Sequence, residues 1–138
     1  MPHVYSDVKK LQGEPKVDGG ECVRLVQHYT NVGHTSTWRQ GERVMDVTFL
    51  ALGTVIANFT REGRWPGKKK GNHAALFIEF GPRGRDGKPT TIVVMDQWTD
   101  ATKRTISARS ILRRGAKTHD EGNIYDDSDN AEHFYVVK

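Results

Sequence analysis

The pattern of apolar and polar positions predicts one helix early in the chain. Apolar side chains recur three, four and seven positions after the single cysteine, which is the spacing of one helix face. These positions are Cys22, Leu25, Val26 and Tyr29. The spacing predicts a helix over residues 21–31, with Asn31 and Gly33 ending it. Because Cys22 lies on the apolar face, we expect it to point toward whatever the helix packs on.

Beyond the helix, short runs rich in apolar and β-branched residues predict strands. The predicted strands are 53–59, 72–80, 90–98 and 132–137. Residues 81–89 combine glycine, proline and charge, a composition typical of a turn between antiparallel strands. For two segments the pattern fits two alternatives. Residues 44–50 form a strand or a short helix, and residues 104–114 form a short helix or an edge strand. The remaining predictions are irregular structure over 1–20, a turn at 38–41, and loops over 63–71 and 115–131.

The order of these elements indicates the fold class. A helix followed by a run of strands with short links predicts an α+β domain, in which an antiparallel sheet is backed by the helix that carries the cysteine. The length of 138 residues is close to a common domain size, so we expect a single domain over residues 1–138.

Composition bears on whether the chain crosses a membrane and on which partners its surface attracts. No apolar run approaches the roughly 18 residues of a membrane span, and residues 1–10 are polar and mixed. We therefore expect no transmembrane segment and no cleaved signal peptide. The net charge is +4, and positive charge clusters at 68–70, 83–88 and 103–117. Such clusters are typical of a solvated surface, or of a surface that binds an anionic polymer.

The one cysteine, Cys22, is the first candidate for chemistry. A single cysteine cannot form an intrachain disulfide, which leaves packing, reactivity or an intermolecular link. A thiol in the first turn of a helix lies near the positive end of the helix dipole and near unpaired N–H groups, and both favour the nucleophilic thiolate. One cysteine with scattered histidines shows no metal-ligand spacing, and no phosphate-binding glycine loop is present. We expect neither a metal nor another cofactor.

A cysteine nucleophile needs a base and a group that orients the base. Among the six histidines, His73 begins a strongly predicted strand, and Asp96 lies near the end of the next one. In an antiparallel hairpin these two positions lie at the same end of the sheet. If the helix packs there, Cys22 meets both. Each residue by itself also fits a structural role: core packing for Cys22, a hydrogen bond for His73 and a turn cap for Asp96.

At these residues the chain resembles the papain-like peptidoglycan amidases, a group that includes the NlpC/P60 and CHAP hydrolases. The resembling segments are 19–27, 53–57, 71–76 and 94–98. More narrowly, the chain is similar to the small amidase effectors of type VI secretion systems, to their third or second family. The likeness spans roughly residues 18–100. It differs from many NlpC/P60 members at Asp96, where they have histidine or asparagine, and at Glu21, where they have aspartate.

The resemblance implies a papain-like core and a catalytic triad. Cys22 would attack a peptide carbonyl of the peptidoglycan stem, His73 would act as base and then as acid, and Asp96 would orient His73. Backbone N–H groups near Cys22 would hold the oxyanion. The bond implied is the D-alanine to meso-diaminopimelate crosslink, whereas related families cut the γ-D-glutamyl bond.

The resemblance also implies where the protein acts and what it meets. The chain would be made in the donor cytoplasm and carried by the secretion machinery to the periplasm of a Gram-negative rival. There it would act on the cell wall, and a cognate immunity protein would block its active site. No nucleic acid is expected as a partner.

Two alternatives remain open from the residues. One is a polyanion-binding module whose contacts are Lys68, Lys69, Lys70, Arg83, Arg85, Arg113 and Arg114. In that module Trp65 and Trp98 would stack on bases. The other is a catalytically inactive protein of the same fold that binds the wall or a partner. The sequence leaves the roles of Trp38, Trp65 and Trp98 undecided.

Overall fold

The computed structural model describes residues 2–138, and within them one α-helix, six β-strands and six short 3-10 helices. The helix α1 is Cys22–Tyr29, and the strands are β1 (Gln40–Arg43), β2 (Val55–Ala57), β3 (Ala74–Phe80), β4 (Thr91–Asp96), β5 (Ser107–Leu112) and β6 (Tyr135–Val137). The 3-10 helices are Val8–Leu11, Thr35–Thr37, Val44–Asp46, His119–Glu121, Asp127–Asp129 and Ala131–His133. The fold is therefore α+β, as predicted.

The strands form a six-stranded antiparallel sheet in the order β1-β6-β2-β3-β4-β5. The final strand β6 lies between β1 and β2, so the end of the chain completes the sheet. In the β3–β4 hairpin Leu76 lies opposite Met95, which places the start of β3 beside the end of β4. This register brings the segments before β3 and after β4 to one end of the sheet.

Both faces of the sheet are covered. Successive residues of a strand point to opposite faces, and in β3 Leu76 belongs to one apolar cluster while Phe77 belongs to the other. The first cluster contains Leu25 and Val26 of α1, so the helix packs on that face. The second cluster includes Val44, from one of the 3-10 helices. The central strands β2 and β3 are buried on both sides for this reason.

The helix and the four strands predicted from the pattern are confirmed, with shorter bounds. The predicted strand 53–59 begins only at Val55, since Gly53 has φ of +87°, outside the extended range. The predicted strand 132–137 begins only at Tyr135, since Ala131–His133 is a 3-10 helix. Of the open alternatives, 44–50 contains a short 3-10 helix and 104–114 contains the edge strand β5.

Three other predictions need correction. Residues 40 and 41 of the predicted turn at 38–41 belong to strand β1 instead. They are extended because they pair with β6, which lies far away in the sequence. The irregular 1–20 segment contains the 3-10 helix Val8–Leu11, and two further 3-10 helices lie in the predicted loop 115–131. Across residues 2–138, none of the helices combines the length and the apolar character that crossing a membrane requires.

Candidate active site

Cys22 is the first residue of α1 and is partly exposed. The chain approaches it through a tight loop in which Asp18, Gly19 and Gly20 have φ of 50°, 91° and 91°. Glycine adopts positive φ without steric cost, so this loop can turn the chain directly into the helix. The first-turn N–H groups of a helix have no partner within the helix. The position of Cys22 therefore suits a nucleophile that attacks a carbonyl, because backbone N–H groups are available to stabilise the oxyanion of the intermediate.

The loop before Cys22 is held by the side chain of Gln97, which is fully buried and follows β4 directly. Its Oε1 accepts a hydrogen bond from Val17 N (2.9 Å). Its Nε2 donates to Val17 O (3.0 Å) and to Glu21 O (2.8 Å). The end of β4 thus fixes the backbone from which the cysteine helix begins.

His73 lies immediately before β3 and is only 5% exposed. Its backbone is held by Asn58, whose Oδ1 accepts from His73 N (2.8 Å) and whose backbone N–H donates to His73 O (3.1 Å). Asn58 Nδ2 in turn donates to His133 O (2.7 Å). Asn58 therefore ties the backbone of His73 to the segment that precedes β6.

The imidazole of His73 contacts Asp96, with Nε2 2.8 Å from Asp96 Oδ2. This contact follows from the β3–β4 register, because Asp96 ends β4 beside the start of β3. With Nε2 directed at Asp96, Nδ1 is the ring nitrogen that remains for Cys22. Burial alone would lower the pKa of His73, but hydrogen bonds with Asp96 and Cys22 outweigh it and raise that pKa to about 9. The ring is therefore an imidazolium at neutral pH.

Asp96 is fully buried and has two further cationic partners. Lys103 Nζ lies 2.9 Å from Oδ1, an ion-pair contact without good hydrogen-bond alignment, and Arg109 Nε donates to Oδ2 at 2.7 Å. Burial would raise the pKa of Asp96, but the hydrogen bond with His73 and the charges of His73, Arg109 and Lys103 lower it to about 2. Asp96 is thus a carboxylate throughout the physiological pH range.

Cys22 and His73 line a common cleft of about 270 Å³. The other lining residues are Glu21, Val23, Trp65, Gly67, Lys68, Lys69, Asn72, Trp98 and Thr99. The indole of Trp98 meets the ring of His73 edge-on, with centroids 6.0 Å apart, and Trp65 packs in the same way against Trp38 at 5.3 Å. The cleft therefore joins a thiol and an imidazole to aromatic walls and a basic rim.

A larger depression of about 690 Å³ borders this cleft at Lys68. We place the candidate site in the smaller cleft, because that is where Cys22 and His73 are exposed to a substrate. Within residues 2–138, no group of three or more histidine, cysteine, aspartate or glutamate side chains is placed to hold a metal ion.

The structure brings together the three residues singled out from the sequence. His73 and Asp96 are in direct contact, and Cys22 lines the same cleft as His73. The expected inward orientation of Cys22 is met in part, since the residue packs against the core and also lines the cleft.

Four residues that support the site were missed from the sequence. They are Asn58, Gln97, Lys103 and Arg109. One signal was available for Arg109. In the edge strand, one of the two alternatives for 104–114, Arg109 lies two residues from the apolar Ile111 and therefore on the same side of the sheet. The other three depend on contacts between distant segments.

Part of the basic charge that suggested polyanion binding is paired within the chain. Arg113 Nη2 lies 2.8 Å from Asp86 Oδ2, and Arg114 Nε lies 3.4 Å from Asp129 Oδ2. Lys68 Nζ also approaches Asp120 Oδ2, at 3.8 Å. These pairs reduce the free positive charge that a polyanion would meet.

Comparisons with known proteins indicate one family. The family model described as domesticated amidase effector 2 matches residues 4–137. A Salmonella typhi protein described as type VI secretion amidase effector 2 is 40% identical over 141 residues, covering all of both chains. A solved structure described as type 6 secretion amidase effector 2 (Tae2) aligns with a TM-score of 0.82 at 38% identity, covering 98% of this chain and 93% of that one.

Fold and sequence together define the class as the small type VI secretion amidase effectors, which have a papain-like core. Within this class, the chain belongs to the family of domesticated amidase effector 2. Of the two effector families suggested by the sequence, the comparisons support the second.

Proposed function

We propose that the protein is an antibacterial peptidoglycan amidase that cleaves a stem-peptide bond with Cys22 as nucleophile, His73 as base and acid, and Asp96 as the group that orients His73. The observation that carries this proposal is the 2.8 Å contact between His73 Nε2 and Asp96 Oδ2, beside a cleft that exposes Cys22. Membership of an amidase effector family supports the same reaction class.

Acylation begins from a thiolate and an imidazolium. His73 lies beside Cys22 in the cleft, so its imidazole is the group that takes the proton of the thiol. The Cys22 sulfur attacks the carbonyl carbon of the peptide, and first-turn N–H groups of α1 stabilise the negative oxygen that forms. His73 then donates its proton to the leaving amine, which departs and leaves a thioester on Cys22.

Deacylation reverses the role of His73. Having lost its proton to the amine, the neutral imidazole accepts a proton from water, and the resulting hydroxide attacks the thioester carbonyl. The tetrahedral intermediate that forms then collapses, and its carbon–sulfur bond breaks. This yields a carboxylic acid and the Cys22 thiolate, which restores the ion pair. Asp96 stays ionised throughout and stabilises the imidazolium whenever it forms.

We propose the D-alanine to meso-diaminopimelate crosslink as the bond cut. The similarity to second-family effectors supports this choice, because the sequence resemblance implies that bond for them. Lys69 on the rim of the cleft complements the carboxylates that cell-wall peptides carry.

The proposed setting follows from the same family. A type VI secretion system would deliver the chain from the donor cytoplasm into the recipient periplasm. A cognate immunity protein would occupy the cleft and block access to Cys22. The relatives described as type VI effectors support delivery by this route.

Mass spectrometry of Gram-negative peptidoglycan digested with the wild type, Cys22→Ser and Cys22→Ala tests the reaction. We expect the wild type to release uncrosslinked stems with a new D-alanine carboxylate, and both variants to release none. Circular dichroism of the variants controls for folding. Full activity of a folded Cys22→Ala would exclude the thiol mechanism, and cleavage at the γ-D-glutamyl bond would exclude the proposed crosslink.

A further inference from the structure

Asp96 has more positive charge around it than the orientation of an imidazole requires. One carboxylate oxygen facing the ring is enough to fix a histidine in a catalytic triad. Here Oδ2 contacts His73 Nε2 and Arg109 Nε, while Oδ1 contacts Lys103 Nζ. The exposed fractions of the side chains are 0% for Asp96, 7% for Lys103 and 27% for Arg109. Both oxygens of a buried carboxylate are therefore committed to cations.

The register of the β4–β5 pair produces this arrangement. Asp96 lies opposite Ser107, and Arg109 follows two residues later on the same side of the sheet, where a long side chain reaches its diagonal neighbour. Lys103 comes from the connection between the two strands and also donates to Ser107 O at 3.2 Å. The two cations approach the carboxylate from different segments, so the carboxylate cannot rotate without breaking a contact.

Burial makes these partners energetically necessary. A carboxylate without exposure is costly unless it is paired and hydrogen-bonded. Lys103 and Arg109 together carry more positive charge than Asp96 carries negative charge. They therefore keep Asp96 ionised and at the same time weaken its attraction for the imidazolium of His73.

The same two cations hold the wall of the cleft. Lys103 Nζ lies 4.7 Å and Arg109 Cζ 5.0 Å from the ring centroid of Trp98, distances within the cation–π range. Trp98 in turn meets His73 edge-on. The carboxylate and the indole that contact the imidazole are thus positioned by one pair of side chains.

Resting on the proposed function, we propose that Lys103 and Arg109 are positioning residues for the catalytic reaction. They hold the Asp96 carboxylate ionised with Oδ2 toward His73 Nε2, and they hold Trp98 against the same ring. His73 Nδ1 is thereby kept directed toward Cys22. Without either charge, the imidazole of His73 is held less firmly in its orientation. Its pKa also rises, because one nearby positive charge is gone.

The ionisable groups around the ring define what a pH measurement reports. His73 faces Cys22 of α1 and Asp96 of β4, and it faces Lys103 and Arg109 through Asp96. The other ionisable residues that line the cleft are Glu21, Lys68 and Lys69. We expect the rate of Cys22 alkylation by iodoacetamide to change where His73 loses its proton, so this upper inflection would report the charge near His73.

The test compares the pH profile of alkylation and the kinetics of peptidoglycan cleavage in Arg109→Gln and Lys103→Met. We expect the upper inflection to rise by about one pH unit. We expect kcat to fall about tenfold to a hundredfold, with KM near the wild-type value. Arg109→Lys keeps the charge, so its inflection should stay at the wild-type pH and its kcat should recover in part.

Matched substitutions of exposed basic residues, Arg104→Gln and Lys9→Met, should leave both measurements unchanged. Thermal unfolding shows which variants fold, and the partly exposed Arg109 provides the test if Lys103→Met does not fold. An unchanged or lowered inflection in folded Arg109→Gln would overturn this role. Because alkylation needs no peptidoglycan, a wild type that cleaves no stem peptide would overturn the proposed function alone.

Discussion

Asp96 and Gln97 are consecutive in the chain, yet they hold opposite members of the candidate catalytic pair. Asp96 Oδ2 contacts His73 Nε2 at 2.8 Å, whereas Gln97 Nε2 donates to Glu21 O at 2.8 Å, beside Cys22. Successive residues at the end of a strand point in different directions. The end of β4 therefore sets the position of the thiol relative to the imidazole.

Gln97→Ala is expected to lower both stability and activity. The change leaves the partly buried N–H of Val17 and two carbonyls without partners and opens a cavity at the fully buried Gln97, which costs roughly 3 kcal/mol of unfolding free energy. The loop before Cys22 loses its anchor, so kcat should fall as well. Urea denaturation and cleavage kinetics measure these effects.

The control for Gln97 is Gln12→Ala, because exposed Gln12 makes one hydrogen bond to the backbone of Ala108. Its cost should stay below about 1 kcal/mol. Equal losses of stability in the two variants would contradict the anchoring role of Gln97.

His73→Ala is expected to lower kcat by on the order of a thousandfold or more, because proton transfer to the leaving amine and support of the thiolate are both lost. Initial rates of peptidoglycan cleavage measure the effect. His34→Ala removes an exposed imidazole and should retain wild-type rates. A folded His73→Ala with wild-type kcat would remove His73 from the mechanism.

Asp96→Asn is expected to be milder in kcat than His73→Ala, because Asn58 still fixes the backbone of His73. The substitution leaves the buried ammonium of Lys103 without its counter-ion. Loss of one partner of a buried ion pair costs roughly 3–5 kcal/mol. Guanidinium denaturation at neutral pH measures that loss, and a change smaller than about 1 kcal/mol would show that Asp96 is not ionised in the folded protein.

Stability should depend on pH through both members of the buried pair. The pKa of His73 rises from 6.5 to about 9 on folding, because its hydrogen bonds outweigh burial, so its contribution is complete below about pH 6.5 and is lost as pH rises through about 9. The pKa of Asp96 falls from 3.8 to about 2, so its contribution is complete above about pH 3.8 and is lost as pH falls toward 2.

The unfolding free energy of the wild type measured across the alkaline range tests the first of these effects. We expect the decline through about pH 9 to be larger in the wild type than in His73→Gln, which has no imidazole to deprotonate. Parallel curves for the two proteins would show that His73 is not protonated in the folded state at neutral pH.

Lys69→Gln is expected to raise KM for peptidoglycan about twofold to fivefold at low salt, because Lys69 lines the cleft and an exposed ion pair contributes little more than this. The difference from wild type should shrink as salt is added. Lys70 is adjacent but outside the set of cleft-lining residues, which makes Lys70→Gln the matched control. The same rise in KM for both variants would indicate general attraction rather than recognition in the cleft.

The local pattern predicted the elements that carry the site. The spacing of apolar residues placed Cys22 at the start of a helix, and the apolar runs before and after the turn at residues 81–89 predicted the hairpin that joins His73 to Asp96. Strand β1 escaped prediction because its residues have no apolar alternation, and its pairing with β6 involves residues almost a hundred positions away.

The sequence by itself determined which groups could react and that antiparallel pairing would bring His73 and Asp96 to one end of a sheet, because helix and strand periods are local properties. Only the tertiary structure decided how those groups are supported. Gln97, Asn58, Lys103 and Arg109 acquire their roles by burial against segments distant in the chain. A polar side chain carries no periodic signal of its partner, and the free energy that fixes it arises only when both partners leave water together.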